Sequence, residues 1–183
     1  LLASRLGRIE EPPKTHGVNG IPYVTVRDAI CMLPPLRAGE VSGEDPVHRC
    51  SNLDSINLER ISLTPEGGDR RNWPTRLVNK AHIDYDGHYD TYGRMSWDKP
   101  SPTLTTRCNG YSNGRFGHPD VNQNRPISMR EAANLQTFPS DYIFSGTLTS
   151  MAKQIGNAVP CELARNFGLA ILNHFNRVQE GQE

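Results

Sequence analysis

The chain has 183 residues, 36% of them apolar, with 20 Lys and Arg against 20 Asp and Glu. That length fits one medium domain or two small lobes sharing a surface. No stretch approaches the ~18 consecutive apolar residues of a membrane-spanning helix, and Cys31, Cys50, Cys108 and Cys161 are too scattered for a zinc motif or a disulfide framework.

Leu1-Leu2-Ala3-Ser4 reads as the end of a buried strand and not as a secretory leader. Glu11-Pro-Pro-Lys14 is a linker. Thr25 predicts the cap of a short helix through Ile30, and Pro34-Pro35 stops it. From Gly39 to Glu59 the apolar signal is thin and predicts a long connection. Residues 61–124 hold short β-prone pieces broken by Gly-Gly, Asp-Gly, Asn-Gly and Lys-Pro, which predicts a small irregular β lobe. Ser128 and Glu131 form a capping-box pattern on a helix running to about Gln136, with Met129, Ala132, Ala133 and Gln136 facing inward. Beyond Pro160, the positions Leu163, Phe167, Ala170, Ile171 and Phe175 repeat at three and four, giving a helix with one apolar stripe that needs a partner surface.

The zero net charge hides an uneven distribution. Residues 60–130 carry 11 basic and 7 acidic side chains, a balance of +4, while each flank is at −2. A polyanion would be met in that middle section. Within it, Asn109-Gly-Tyr-Ser-Asn-Gly-Arg-Phe-Gly-His118 is a recognition-loop candidate: its glycines permit close backbone approach, and Arg115 and Asn113 suit guanine and adenine edges. Arg94 and Arg107 are further candidates. Arg70, Arg71, Arg76 and Lys80 suit phosphates, whereas Trp73 and Trp97 read as packing anchors. The histidines form no metal site, and Asp84, Asp86 and Asp90 lack a full calcium-loop pattern, so no metal is implied.

Two phrases near the end carry more information: Arg125-Pro-Ile-Ser-Met-Arg-Glu-Ala-Ala-Asn-Leu-Gln-Thr-Phe-Pro139 and Gln154-Ile-Gly-Asn-Ala-Val-Pro160. They resemble the last two motifs of DNA (cytosine-5) methyltransferases. Gly67-Gly-Asp-Arg-Arg-Asn-Trp-Pro74 and Tyr92-Gly-Arg-Met-Ser-Trp-Asp-Lys-Pro-Ser-Pro-Thr-Leu-Thr-Thr106 resemble the target-recognition domain of one bacterial branch. The resemblance implies an α/β methyltransferase fragment. Residues 1–44 would close the catalytic lobe and connect it, and 45–145 would form a β-rich target-recognition lobe. Residues 146–183 would then return to a Rossmann-like lobe as a strand and helices.

In such enzymes a Cys thiolate attacks C6 of a cytosine flipped out of duplex DNA, and S-adenosylmethionine supplies the methyl group to C5. The resemblance implies that Thr103 and Thr105 meet the DNA backbone, that Arg130 and Glu131 brace the recognition part, and that Asn157, Ala158 and Val159 edge the cofactor cleft. Many relatives carry Ser where Ala158 stands. Pro160-Cys161 mimics the nucleophile motif, but no Glu-Asn-Val follows. The expected partners are therefore duplex DNA and an N-terminal catalytic lobe, within one longer chain or as a subunit, in a bacterial cytoplasm with restriction–modification as its setting. On this reading the chain alone is inert. A non-catalytic DNA-binding remnant and part of a related RNA cytosine methyltransferase are the alternatives.

Overall fold

In the computed structural model, residues 2–83, 85, 87 and 89–181 are described. The chain forms two compact units: Val24–Ala158, and Leu1–Tyr23 together with Val159–Glu183. These cuts lie at 23/24 and 158/159.

The larger unit is organised by short capped helices. The first, α1 (Val26–Ile30), starts at Thr25, whose hydroxyl and the Asp28 carboxylate exchange capping bonds. Next comes α2 (Ser55–Ser62), opened by Asp54 accepting from the Asn57 N–H. It falls where a bare connection was predicted. The Ser128–Glu131 capping box opens α3 (Met129–Leu135), as the sequence indicated. Thr147 then caps α4 (Leu148–Asn157).

Helix α3 packs against both α1 and α4. Val26 and Ile30 of α1, Met129, Ala132 and Ala133 of α3, and Met151, Ala152 and Ile155 of α4 meet Val47, Met95, Phe116 and Ile127 in one core. Full burial of such a side chain contributes about 1.5–3 kcal/mol for the larger ones. A second cluster joins Ile61, Trp73, Leu77 and Tyr111. There the Thr64 hydroxyl accepts from Trp73 Nε1 at 2.8 Å and lies 2.9 Å from the Tyr111 hydroxyl. Trp73 is thus the anchor expected of it.

The β-rich lobe expected over residues 61–124 is not what forms. Among the described residues, Arg94 bridges Gly117 and Gly117 bridges Pro126 as isolated pairs, and the rest is turns, including 3₁₀ turns at 70–72, 75–77, 80–82 and 111–113. The glycine and proline spacing that suggested hairpins breaks each ladder after one pair. Arg94 does much of the work a sheet would have done. Its fully buried guanidinium donates to the carbonyls of Ile61 (2.8 Å), Thr64 (2.8 Å), His118 (2.7 Å), Asp120 (3.1 Å) and Gln123 (3.3 Å), and to Asn124 Oδ1 (2.6 Å). Backbone acceptors that a ladder would have satisfied are satisfied by one side chain instead.

In the smaller unit, α5 (Cys161–Gln179) follows Pro160. Residues 2–23 form bends and turns, with no strand among the described ones, so the expected strand end is absent. Ser4 Oγ lies 3.2 Å from Nε2 of the buried His174, and Arg177 reaches Glu10 at 3.1 Å. Leu163, Ile171 and Phe175 of the predicted stripe remain 45–48% exposed, and Leu169 and Leu172 join them.

Candidate nucleic-acid interface

The two C-terminal phrases meet in the larger unit. The Gln136 side chain, at the end of α3, donates to the carbonyls of Ile155 (2.9 Å) and Ala158 (3.3 Å). It satisfies the open C-terminal end of α4 and holds the Asn157–Ala158 turn. Beside it, Gly156 lies so close to the backbone of Thr105 and Thr106 that any Cβ would overlap the Thr105 carbonyl. This close approach brings residues 103–106 alongside the Gly156-Asn157-Ala158 turn. Thr103 and Thr105 are exposed there while Leu104 is buried between them. Asn157 is also exposed, and its side-chain amide makes no hydrogen bond within the described residues. Two exposed hydroxyls and an exposed amide thus lie on segments that meet at Gly156, neutral donors and acceptors of the kind suited to phosphate oxygens and base edges. In the smaller unit, Val159 is 58% exposed.

The turn from Arg125 to Glu131, which leads into α3, is tied by its own buried network. Arg125 Nη1 and Nη2 donate to the two Glu131 oxygens at 2.8 and 2.7 Å, and Glu131 also accepts the Ser128 N–H at 2.7 Å. Nε2 of His118 lies 3.4 Å away. Burial opposes the charge on Glu131, yet the bonds from Arg125 and His118 hold its pKa well below the usual carboxylate range. Arg130 pairs with Asp45 at 2.5 Å. Both residues are organisational, as the resemblance implied.

Two arginines expected to read DNA are used internally. Arg94 is fully buried among carbonyls and reaches no surface. Arg115 Nη1 donates to the carbonyls of Gly67 (2.8 Å) and Gly68 (2.9 Å), and its other nitrogens face Asp69 (3.3 Å) and Asp90 (3.4 Å). It clamps residues 109–118 onto the Gly67-Gly68-Asp69 turn and offers no free fork to a base. The reason is chemical: in a loop-built lobe the guanidinium is the side chain with enough donors to satisfy several carbonyls at once. Asn113 and Arg107 remain exposed.

The adjacent pair Arg70-Arg71 divides. Arg70 is buried and donates to Thr91 Oγ1 at 2.9 Å, while the Arg71 side chain is 64% exposed against a buried Asp69. Sequence reading gave Asp69 no role. Its place as the residue before a 3₁₀ turn, where a carboxylate caps, was the available signal. Arg70, Arg71, Trp73 and Tyr89 help line a cavity of about 320 Å³. Arg76 is exposed and pairs with Glu59 at 2.5 Å.

Among the described residues no three His, Cys, Asp or Glu side chains are placed to hold a metal, and no helix is long and apolar enough to cross a membrane. Asp84, Asp86 and His88 lie outside the described residues. The four cysteines are free thiols. Burial pushes Cys108 up to about 12, so it is not a nucleophile near neutral pH.

Residues 103–106 and the Gly156-Asn157-Ala158 turn thus form a loop-built junction tied to the end of α3 through Gln136. Residues 47–173 match the C-5 cytosine-specific DNA methylase family, and the chain belongs to that family. It is 44% identical over 188 residues to a type II methylase, M.HgiDII, of Herpetosiphon aurantiacus, covering all of this chain and 52% of that protein. It is 36% identical to DNA (cytosine-5)-methyltransferase 3 of Arabidopsis thaliana, over 81% of this chain and 12% of the relative. It is also 36% identical to type II methyltransferase M.PspPI of Psychrobacter sp. (strain TA137), over 84% of this chain and 36% of that enzyme. The chain spans about half the length, or less, of these curated relatives.

Proposed function

We propose that this chain is the target-recognition and cleft-completing part of a DNA (cytosine-5) methyltransferase, with residues 45–145 as its recognition part, working in a restriction–modification setting. The observation that carries this reading is the junction at Gly156. The two family phrases are tied by Gln136, and the Thr105-Thr106 backbone lies against Gly156, next to Asn157 in the chain. A surface of that kind can grip the backbone beside a cytosine that has left the stack and can close one edge of a pocket around it. Flipping is needed because C5 and C6 are otherwise covered by neighbouring bases.

The 183 residues contain no Pro-Cys followed by Glu-Asn-Val, so the thiolate that adds to C6 and the carboxyl facing N3 come from a catalytic portion outside this sequence. S-adenosylmethionine supplies an electrophilic methyl group when bound. The residues present fit its edge only: the Asn157 amide is unpaired, and no glycine-rich phosphate-type loop accompanies it. Thr103 and Thr105 donate to phosphate, and Asn157 orients whatever polar group faces the turn. The exposed α5 side chains Leu163, Ile171 and Phe175 supply an apolar face for the catalytic portion to cover, consistent with the behaviour of amphipathic helices that lack a partner.

The test is reconstitution. The chain is combined with the N-terminal portion of its methyltransferase, and labelled methyl transfer to unmethylated duplex DNA is followed. Transfer only with both pieces supports the reading. A folded complex with intact Pro-Cys and Glu-Asn-Val segments but no transfer refutes it and favours a non-catalytic DNA-binding role. Transfer to RNA alone refutes the choice of substrate.

A further inference from the structure

Arg71 is held in an unusual way for a surface arginine. Its Nε donates to Asp69 Oδ1 at 2.8 Å and its Nη2 to Asp69 Oδ2 at 2.7 Å. That is the side-on edge of the guanidinium. The end-on edge, Nη1 with the second proton of Nη2, is turned away from the carboxylate because the group is planar. Nη1 makes no hydrogen bond within the described residues, and the Arg71 side chain is 64% exposed while Asp69 is 2% exposed. The Tyr89 ring lies 4.4 Å from the guanidinium carbon. Asp69 is itself fixed by the Arg71 backbone N–H at 3.1 Å and by Arg115.

Holding a long exposed side chain in one orientation costs rotamer entropy, and surface ion pairs return little stability. The arrangement fits a binding group oriented before its ligand arrives. Arg27 provides the contrast. It also pairs side-on, with Asp98, but that carboxylate is 75% exposed and nothing anchors it.

The direction of the donors selects the ligand. Asp69 shares its one negative charge between Arg71 and Arg115, and Arg71 keeps two directional donors in one plane. A planar pair of neutral acceptors about as far apart as N7 and O6 of guanine matches the free fork. The cavity of about 320 Å³ beside it leaves room for a base edge to approach. We propose that Arg71, buttressed by Asp69, reads one guanine of the DNA target through its free Nη1/Nη2 fork. This rests on the DNA-methyltransferase reading above.

The experiment uses the methyltransferase containing this chain and its catalytic portion, with a randomised duplex library scored for which sequences are methylated. The expected result is that Arg71→Ala and Arg71→Lys both lower the preference for guanine at one position by about tenfold, the worth of a bidentate base contact. The variants remain folded by circular dichroism at the assay temperature, and 7-deazaguanine at that position reproduces the loss with the unsubstituted protein. Lysine keeps the charge but not the fork. A phosphate contact gives the opposite pattern: Arg71→Ala weakens all sequences alike, the salt dependence falls by about one charge, and Arg71→Lys restores binding. That pattern overturns the proposal, as does an unchanged preference in both variants while methylation persists. An unsubstituted enzyme that neither binds nor methylates duplexes overturns the methyltransferase reading, and this inference with it.

Discussion

Replacing Arg125 by Met tests whether the Arg125–Glu131 pair is the buried, mutually dependent pair described above. Both side chains are 1% exposed, and the carboxylate takes two bonds from Arg125 at 2.7 and 2.8 Å. Removing the cation leaves a buried charge whose remaining partners are the Ser128 N–H and His118. Breaking one side of such a pair costs about 3–5 kcal/mol, so the urea midpoint falls by about 2 M for a slope near 2 kcal/mol/M. The second variant, Arg125→Met with Glu131→Gln, removes the stranded charge and keeps an acceptor for Ser128; it is more stable than Arg125→Met alone.

Linkage gives a further check with a definite sign. In the unsubstituted chain the folded pKa of Glu131 is depressed, so its contribution is present above the unfolded value of about 4.3 and is lost as pH falls towards the depressed one. Without Arg125, burial raises the folded pKa above the unfolded value. The folded state then binds the extra proton, and stability falls as pH rises through that window. Urea denaturation at intervals from pH 3.5 to 7 measures both slopes. A loss under about 1 kcal/mol at pH 7, or a pH slope unchanged in sign, refutes the buried-pair account.

Gly156→Ala places a methyl into the Thr105 carbonyl; overpacking of this kind costs about 1–3 kcal/mol, read by thermal melting together with weakened DNA binding. Asn157→Ala leaves the melting temperature unchanged, since its amide has no hydrogen-bond partner among the described residues, but lowers methyl transfer by the reconstituted enzyme by about tenfold, the worth of one hydrogen bond near 1.4 kcal/mol; unchanged turnover would remove Asn157 from the cleft. Arg94→Lys retains the charge but strands the Thr64 and His118 carbonyls, which take no backbone N–H among the described residues, and is expected to destabilise by about 2 kcal/mol or more in urea denaturation, at a cost of about 1–3 kcal/mol per buried unsatisfied group.

What the sequence disclosed was local. The cap at Thr25 and the Ser128–Glu131 box depend on residues three apart, and both appear as predicted. Helix α2 was hidden because only Arg60 and Ile61 of its eight residues are buried, leaving little periodic signal. Helix α4 was passed over because Gly156 breaks its helix-forming character, although Met151, Ala152 and Ile155 have the right spacing. The roles of Arg94 and Arg115 were not legible at all. Their acceptors lie 21 to 48 positions away, and an arginine in a glycine-rich loop looks the same in sequence whether it faces solvent or a ring of carbonyls. The pairing of Arg71 with Asp69 spans two residues, but its meaning depends on Asp69 being buried, which only the folded chain reveals.

Arg94 also bears on how this lobe can change over evolutionary time. In a β-sheet, inserting one residue reverses the face of every side chain that follows, so the length of a recognition segment is tied to its register. Here the segments around residues 61–64 and 118–124 are fastened at points, by one guanidinium, with no ladder between them. Residues can be added or lost between those points without disturbing a register. A family whose members discriminate different DNA sequences can thus vary its reading loops in length as well as in composition while the fasteners stay where they are.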